Sequence, residues 1–316
     1  MQHWAVTLLA AEGLMPADGQ LNGILNINKP SGITSMDVVR RIRRASGQKR
    51  VGNAGTLDPI ASGVLPVCLG QGTRMVEHLM EGKKVYRATF LLGVETDTYD
   101  SDGTVVRTVD PSAVRPPDLE GVLKSFHGEI DQLPPMYSAI KVQSRRLYDL
   151  ARSGEEVERT TRKVRVYSLE IIETSLPSFT VDITCGRGFY VRSLGHDVGE
   201  RLGCGAHMTA LERRRVGPFD IESATGLDVA LVALEEDRAA GILRPFDAAV
   251  EHLQAVTVGP DGEAAIRHGR PVTAIVPPPS DGAGSQIRVY TSGGRFLALL
   301  VFDQRSGGWR SDKVFL

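Results

Sequence analysis

The chain has 316 residues, 41% hydrophobic and 24% charged, with a formal net charge of −1 at pH 7. Those values are ordinary for a soluble globular protein with a sizeable core; they exclude a disordered or fibrous chain and allow one large domain or two of unequal size. The near-zero total charge does not advertise a nucleic-acid partner, so the distribution of charge carries the information.

Basic residues cluster in RRIRR (40–44), GKK (82–84), SRR (144–146), RTTRKVR (159–165) and ERRR (212–215), while acids gather in ETDTYDSD (95–102) and LEEDR (234–238). Such segregation permits one basic face, although solvated helix surfaces would give the same runs. Cys68, Cys185 and Cys204 are far apart and match no disulfide or metal spacing. A reducing cytoplasm and no bound metal are the expectations.

Residues 1–20 include WAVTLLAAEGL, an apolar run too short to span a bilayer and without a basic leader. It reads as a variable extension, with Met15 a candidate start. ILNIN (24–28) predicts a strand and KPSG a turn. Thr34 and Asp37 form a loose capping box for a helix that turns Val38, Val39 and Ile42 inward and stops at Gly47. GNAGTLDPIASGVLP (52–66) then holds a solitary Asp58 among turn residues. From this stretch alone, an Asx-turn is the simpler reading and a nucleophile on a rigid loop the sharper one.

A buried strand and turn follow, then helical spacing over 73–82 and an alternating strand over 85–93 with Tyr86, Ala88, Phe90 and Leu92 on one face. A turn and strand occupy TDTYDSDGTVV, and a Pro-led helix precedes HGEI. Residues 132–154 read as an extended stretch and a helix rich in Tyr, Lys and Arg. Two alternating strands lead to a helix over 188–203, with Leu194, Val198 and Leu202 at four-residue spacing and Gly203 as its stop. Residues 235–250 predict a helix and connector; beyond 253, AVTVG, QIRVY and FLALLVF predict a separate small β module.

Taken singly, Asp58, Tyr86 and the pair Tyr190-x-Arg192 have plain structural readings as turn, strand face, and core Tyr beside a surface Arg. Together, NINKPSGITS, GNAGTLDPIASGVLPVCLG, KKVYRATFLLGVETDTYDSDG, PPMYSAIKVQSRRLYDLAR and GFYVRSLGHDVGERLGCGAHMTALERRRVGPF resemble the successive motifs of the B-type pseudouridine synthases, the stand-alone bacterial tRNA pseudouridine-55 synthases. The resemblance runs from about 23 to 250 and weakens past 253.

The resemblance implies an α+β (mixed α/β) catalytic fold with a central, mainly antiparallel sheet, and a small C-terminal β-barrel-like module of PUA type. The implied organisation is 1–20 extension, 21–250 catalytic domain with an RNA-gripping insertion at 134–160, and 251–316 RNA-binding module. It implies isomerisation of uridine to pseudouridine in the T-stem-loop of tRNA without cofactor, metal, membrane or obligate protein partner.

By match, Asp58 is the nucleophile, Tyr86 stacks on the base and takes part in moving its carbon-5 proton, and Arg192 pairs with the nucleophile beside Tyr190. Leu211 packs against the flipped uridine, Lys29 supports the loop, and Arg74 lies near RNA. Asn53 stands where the family commonly has a His that helps wedge the base out, which bears on flipping rather than on bond chemistry. Arg40, Arg41, Arg44, Lys141, Arg145 and Arg146 would meet phosphates. Competing readings are a guide-RNA-dependent relative, disfavoured by the 134–160 segment, a non-catalytic RNA-binding or RNA-folding protein, and a glycosylase that frees uracil. Product analysis separates isomerised, unchanged and released base.

Overall fold

The computed structural model describes residues 20–138, 158–273, 276–277 and 284–315, with the backbone alone at 141–142 and 145–146. The readings of the extension and of most of the gripping insertion lie outside the described residues.

β1 (Gly23–Lys29) is buried over nearly its whole length. Helix α1 (Ser35–Ser46) has the capping box at Thr34 and Asp37, buries Val38, Val39 and Ile42, and closes on Gly47 at a φ of 64°. β2 (Val51–Asn53) and β3 (Ser62–Leu69) bracket the Asp58 loop. A 3₁₀ turn over Gly70–Met75 leads into α2 (Val76–Glu81). β4 (Lys84–Leu92) buries Ala88, Phe90 and Leu92, as its alternation predicts.

A hairpin of β5 (Val94–Thr96) and β6 (Val105–Thr108) precedes α3 (Pro116–Lys124), β7 (Gly128–Gln132) and the short ladder of β8 (Lys141–Val142) with β9 (Arg145–Arg146). β10 (Arg162–Ser175), β11 (Ser178–Cys185), α4 (Val191–Leu202) and β12 (Ala206–Val216) complete the centre. β13 (Phe219–Asp220), β14 (Thr225–Gly226), α5 (Leu227–Glu235) and β15 (Leu243–Arg244) follow.

The main sheet has eleven strands in the order β14-β1-β3-β12-β4-β11-β10-β7, with β2, β13 and β15 paired at its side. It is mixed: β1–β14 and β12–β3 run parallel and the other pairings antiparallel. One continuous core holds the buried faces of α1, α4 and α5 together with Phe90, Phe179, Val181 and Ile183 of the sheet.

The second sheet joins β16 (Gln254–Val258), β17 (Gln286–Thr291), β18 (Phe296–Asp303) and β19 (Gly308–Val314) in chain order, with α6 (Pro260–Arg267) beside it. It has its own core around Val289, Leu297, Leu300 and Trp309. A further apolar cluster joins Phe296, Leu299 and Phe315 to Ile24, Ala54, Val64, Met75 and Leu79 of the first part. No helix among the described residues is long and apolar enough to cross a membrane.

The helix expected at 235–250 lies earlier, at Leu227–Glu235, because Asp237 at a φ of 54° and then Pro245 end helical continuation. Helix α6 is absent from the sequence expectations, which saw only β runs beyond 253; Pro260 occupies its first turn, where no N–H is needed.

Candidate active site

Loop 54–61 is held by backbone contacts rather than by its own side chains. The Gly32 N–H donates to Pro59 O at 2.8 Å and the Ser31 hydroxyl to Ile60 O at 2.8 Å. The buried Ser35 hydroxyl donates to Leu57 O at 2.9 Å and accepts from the Leu57 N–H at 2.8 Å. Lys29, fully buried, donates to Pro30 O, Ile33 O and Pro59 O at 2.9, 2.7 and 3.4 Å. Burial lowers the Lys29 pKa to about 8, with the charge of Asp58 opposing the shift. The turn at Asp58 closes through its backbone, from the Ala61 N–H to Asp58 O at 3.1 Å. The Asx-turn reading therefore gives way: the carboxylate is engaged elsewhere.

That engagement is Arg192 in the first turn of α4. Its Nε lies 2.9 Å from Asp58 Oδ2, with the Arg192 side chain 6% exposed and that of Asp58 38% exposed. The same guanidinium donates to Thr98 O at 3.1 Å and to Tyr137 O at 2.7 Å. Its Nη1 also lies 3.5 Å from Asp100 Oδ2. Burial raises the Asp100 pKa, opposed by the Thr98 hydroxyl, which donates to it at 2.6 Å, and by Arg192. One buried cation therefore sits between a partly open carboxylate and a buried one.

Tyr190 precedes α4 and is clamped by Gln132, which accepts from the Tyr190 N–H at 2.7 Å and donates to its carbonyl at 3.0 Å. Burial raises the hydroxyl pKa of both Tyr190 and Tyr86, and each hydroxyl feels the charge of Asp58. Register puts Leu211 opposite Ala88 and Arg213 opposite Tyr86 on neighbouring strands. Leu211, Arg213, Tyr86 and Ala88 therefore share one face of the sheet. Asp58, Tyr86, Tyr190 and Arg192 converge; Lys29 lies beneath the loop.

The other sequence-predicted residues are elsewhere or at the rim. Asn53 ends β2, partly exposed. Arg74 is turned to the second sheet: it donates to Val314 O at 2.6 Å and lies 4.6 Å over the Phe315 ring. Arg40, Arg41 and Arg44 are on the surface of α1, with Arg40 paired to Asp37. Lys141, Arg145 and Arg146 fall on β8 and β9, and their side chains lie outside the described residues. No group of His, Cys, Asp and Glu that could hold a metal occurs among the described residues.

Sequence reasoning missed Asp100, Gln132, Ser35 and Arg213. Asp100 was hidden in an acidic run that read as solvated. Arg213 shares the period-two face of Leu211, a signal that was available, but its run of arginines suggested a surface.

The family model of the TruB family pseudouridylate synthase N-terminal domain matches residues 43–191, and that of the tRNA pseudouridylate synthase B C-terminal domain matches residues 192–251. The chain is 42% identical over 296 residues to a tRNA pseudouridine synthase B of Geobacter sulfurreducens, covering 92% of this chain and 96% of that one. It is 42% identical over 298 residues to a tRNA pseudouridine synthase B of Clostridium perfringens, covering 94% and 99%. A solved H/ACA RNP bound to a substrate RNA containing 2′-deoxyuridine aligns with a TM-score of 0.71 at 28% identity, covering 93% of this chain and 85% of that one. With its motifs in order and Asp58 of the 54–61 loop paired to the buried Arg192, this chain belongs to the TruB family of pseudouridine synthases.

Proposed function

We propose that this chain isomerises uridine to pseudouridine at position 55 in the T-loop of tRNA, with Asp58 as nucleophile. The names of its curated relatives, tRNA pseudouridine synthase B, support tRNA over a guide-RNA-borne substrate. The observation that carries the reading is the 2.9 Å contact between Asp58 and Arg192 on a loop tied down from behind.

The target base is stacked in folded RNA and must be everted, at a cost of a few kcal/mol. The Asp58 carboxylate then attacks carbon 6 of the uracil or carbon 1′ of the ribose. The bond from nitrogen 1 to carbon 1′ breaks, the base turns, and carbon 5 bonds to carbon 1′. Carbon 5 gives up its proton, nitrogen 1 takes one, and the carboxylate is released, so atoms balance without a co-reactant. Arg192 fixes the carboxylate's direction, which matters because a nucleophile displaced by about 1 Å loses roughly 10²-fold in rate. Tyr86 stacks on the base and takes part in moving the carbon-5 proton; Tyr190 and Leu211 wall the pocket, and Lys29 supports the loop.

In this reading Asn53 meets the T-loop with less stacking area than a His would offer. Arg74 lies toward RNA from the seam with the second sheet. Arg40, Arg41, Arg44, Lys141, Arg145 and Arg146 meet phosphates, residues 134–160 grip the T-loop, and residues 251–316 form a PUA-type RNA-binding module. The enzyme acts alone in the cytoplasm, in keeping with three unpaired, buried cysteines.

The test is mass-neutral isomerisation of an unmodified tRNA transcript. Asp58→Asn is expected to abolish it, by about 10⁴-fold, with tRNA affinity retained. Release of free uracil would make the chain a glycosylase, and loss of tRNA binding with Asp58 would make that residue structural.

A further inference from the structure

One buried cation beside the site has no role in the scheme above. Arg213 is the largest fully buried side chain described, at 1% exposure. Among the described residues no carboxylate lies within ion-pair distance of it. Burying a charge without a counter-ion is costly, so its other partners matter.

Those partners are carbonyls. Arg213 Nε donates to Val64 O at 2.7 Å, and Nη2 donates to Gly55 O at 2.8 Å. Gly55 and Val64 flank the segment that carries Asp58, so one planar group spans both ends of the nucleophile loop. Backbone geometry is fitted to this arrangement. Gly55 has a φ of +87°, and a Cβ there would fall 3.3 Å from Arg213 Nη1. Gly63 has a φ of +99°, and a Cβ there would fall 2.3 Å from the Arg213 carbonyl oxygen. Side chains are strained at such φ values, and both positions are glycine.

The other side of Arg213 meets Tyr86. The two residues are opposite one another on β12 and β4, and Arg213 is also the register partner of Gly63 on β3. Arg213 therefore sits at the crossing of the nucleophile loop, its exit strand and the tyrosine strand. Its charge and hydrogen bonding oppose the upward shift that burial imposes on the Tyr86 hydroxyl.

We propose that Arg213 is a positioning residue that holds the Asp58 loop in register with Tyr86, so that nucleophile and aromatic ring meet the everted uridine in one fixed relation. This rests on the function proposed above. Arg213 is fully buried, so it acts through Asp58 and Tyr86 and does not touch RNA.

The experiment compares wild type, Arg213→Lys and Gly55→Ala on a tRNA transcript carrying either ordinary or 5-deuterated uridine at the target. Lys keeps the charge but one ammonium does not span both carbonyls; Gly55→Ala disturbs the same contact from the loop side and leaves Arg213 and Tyr86 in place. Expected for each folded variant is a fall in kcat of about 30- to 100-fold, KM within about threefold of wild type, and an altered deuterium isotope effect. A kcat within threefold of wild type in folded Arg213→Lys, or in Gly55→Ala if Arg213→Lys does not fold, overturns the proposal. A fall in kcat that only tracks the folded fraction, read by circular dichroism, also overturns it by reducing Arg213 to a structural residue. Failure of the wild type to make pseudouridine would overturn the functional reading itself.

Discussion

Replacing Arg192 by Lys tests the centre of the mechanism, because the substitution keeps the charge and removes the geometry. A guanidinium in this position serves Asp58, Asp100, Thr98 O and Tyr137 O together. An ammonium is a point donor on a shorter reach and serves at most part of that set. A charge-assisted hydrogen bond is worth roughly 1.5–3 kcal/mol, and solvent at the partly open Asp58 favours the low end, about 1.5 kcal/mol. Lost only as the transition state forms, that amount slows turnover by about tenfold. Arg192→Ala goes further, since it strands the 4%-exposed Asp100 without its cation. Breaking one side of a buried pair costs about 3–5 kcal/mol of stability. Asp100→Asn serves as the control, since burial already favours the neutral form there. The assay is single-turnover tritium release from carbon 5 of the target uridine, read beside urea unfolding. Arg192→Lys turning over within threefold of wild type at equal stability would refute the idea that Arg192 aims the nucleophile.

Lys29 gives a pH test. Its folded pKa of about 8 lies below the ordinary 10.5, so between those values the unfolded chain binds more protons and this group's contribution to stability rises with pH. Turnover should move the other way over the same window, because the neutral amine has one donor fewer for three carbonyls; Lys29→Arg is expected to remove that alkaline limb, as seen in a kcat profile. Ser35→Ala leaves the Leu57 N–H and carbonyl unpaired in a buried place and is expected to cost about 1–3 kcal/mol in urea unfolding. tRNA affinity should fall with salt, and replacing Arg40, Arg41 and Arg44 by Ala should flatten the log–log slope by about two. An unchanged slope in filter binding would remove α1 from the RNA face.

What could be read in the sequence was what depends on near neighbours. The Thr34–Asp37 cap, the Gly47 and Gly203 stops and the alternation of β4 are decided within a few residues, and they occur as expected. The Asp58 loop was legible as a loop, but not as a clasped one. Its ties come from Lys29, Ser31, Ser35 and Arg213, which adjoin it only once β1, β3 and β12 pair. Asp100 and Arg192 are 92 positions apart in the chain and meet only in the folded state. Motif order supplied the Asp58–Arg192 pairing that spacing alone could not. The helix expected at 235–250 ends at Glu235 instead, where Asp237 turns to a left-handed φ, and the strand Gly308–Val314 has too many polar residues to show as an apolar run.

The apolar seam between the two sheets has a mechanical consequence. Ala54 and Val64, at either end of the catalytic loop, belong to the same cluster as Phe296, Leu299 and Phe315. The apolar packing at both ends of the Asp58 loop is thus shared with the distal sheet. A chain trimmed of that sheet would uncover part of this cluster behind the Asp58 loop, and if Asp58 acts as proposed, turnover as well as RNA affinity would suffer.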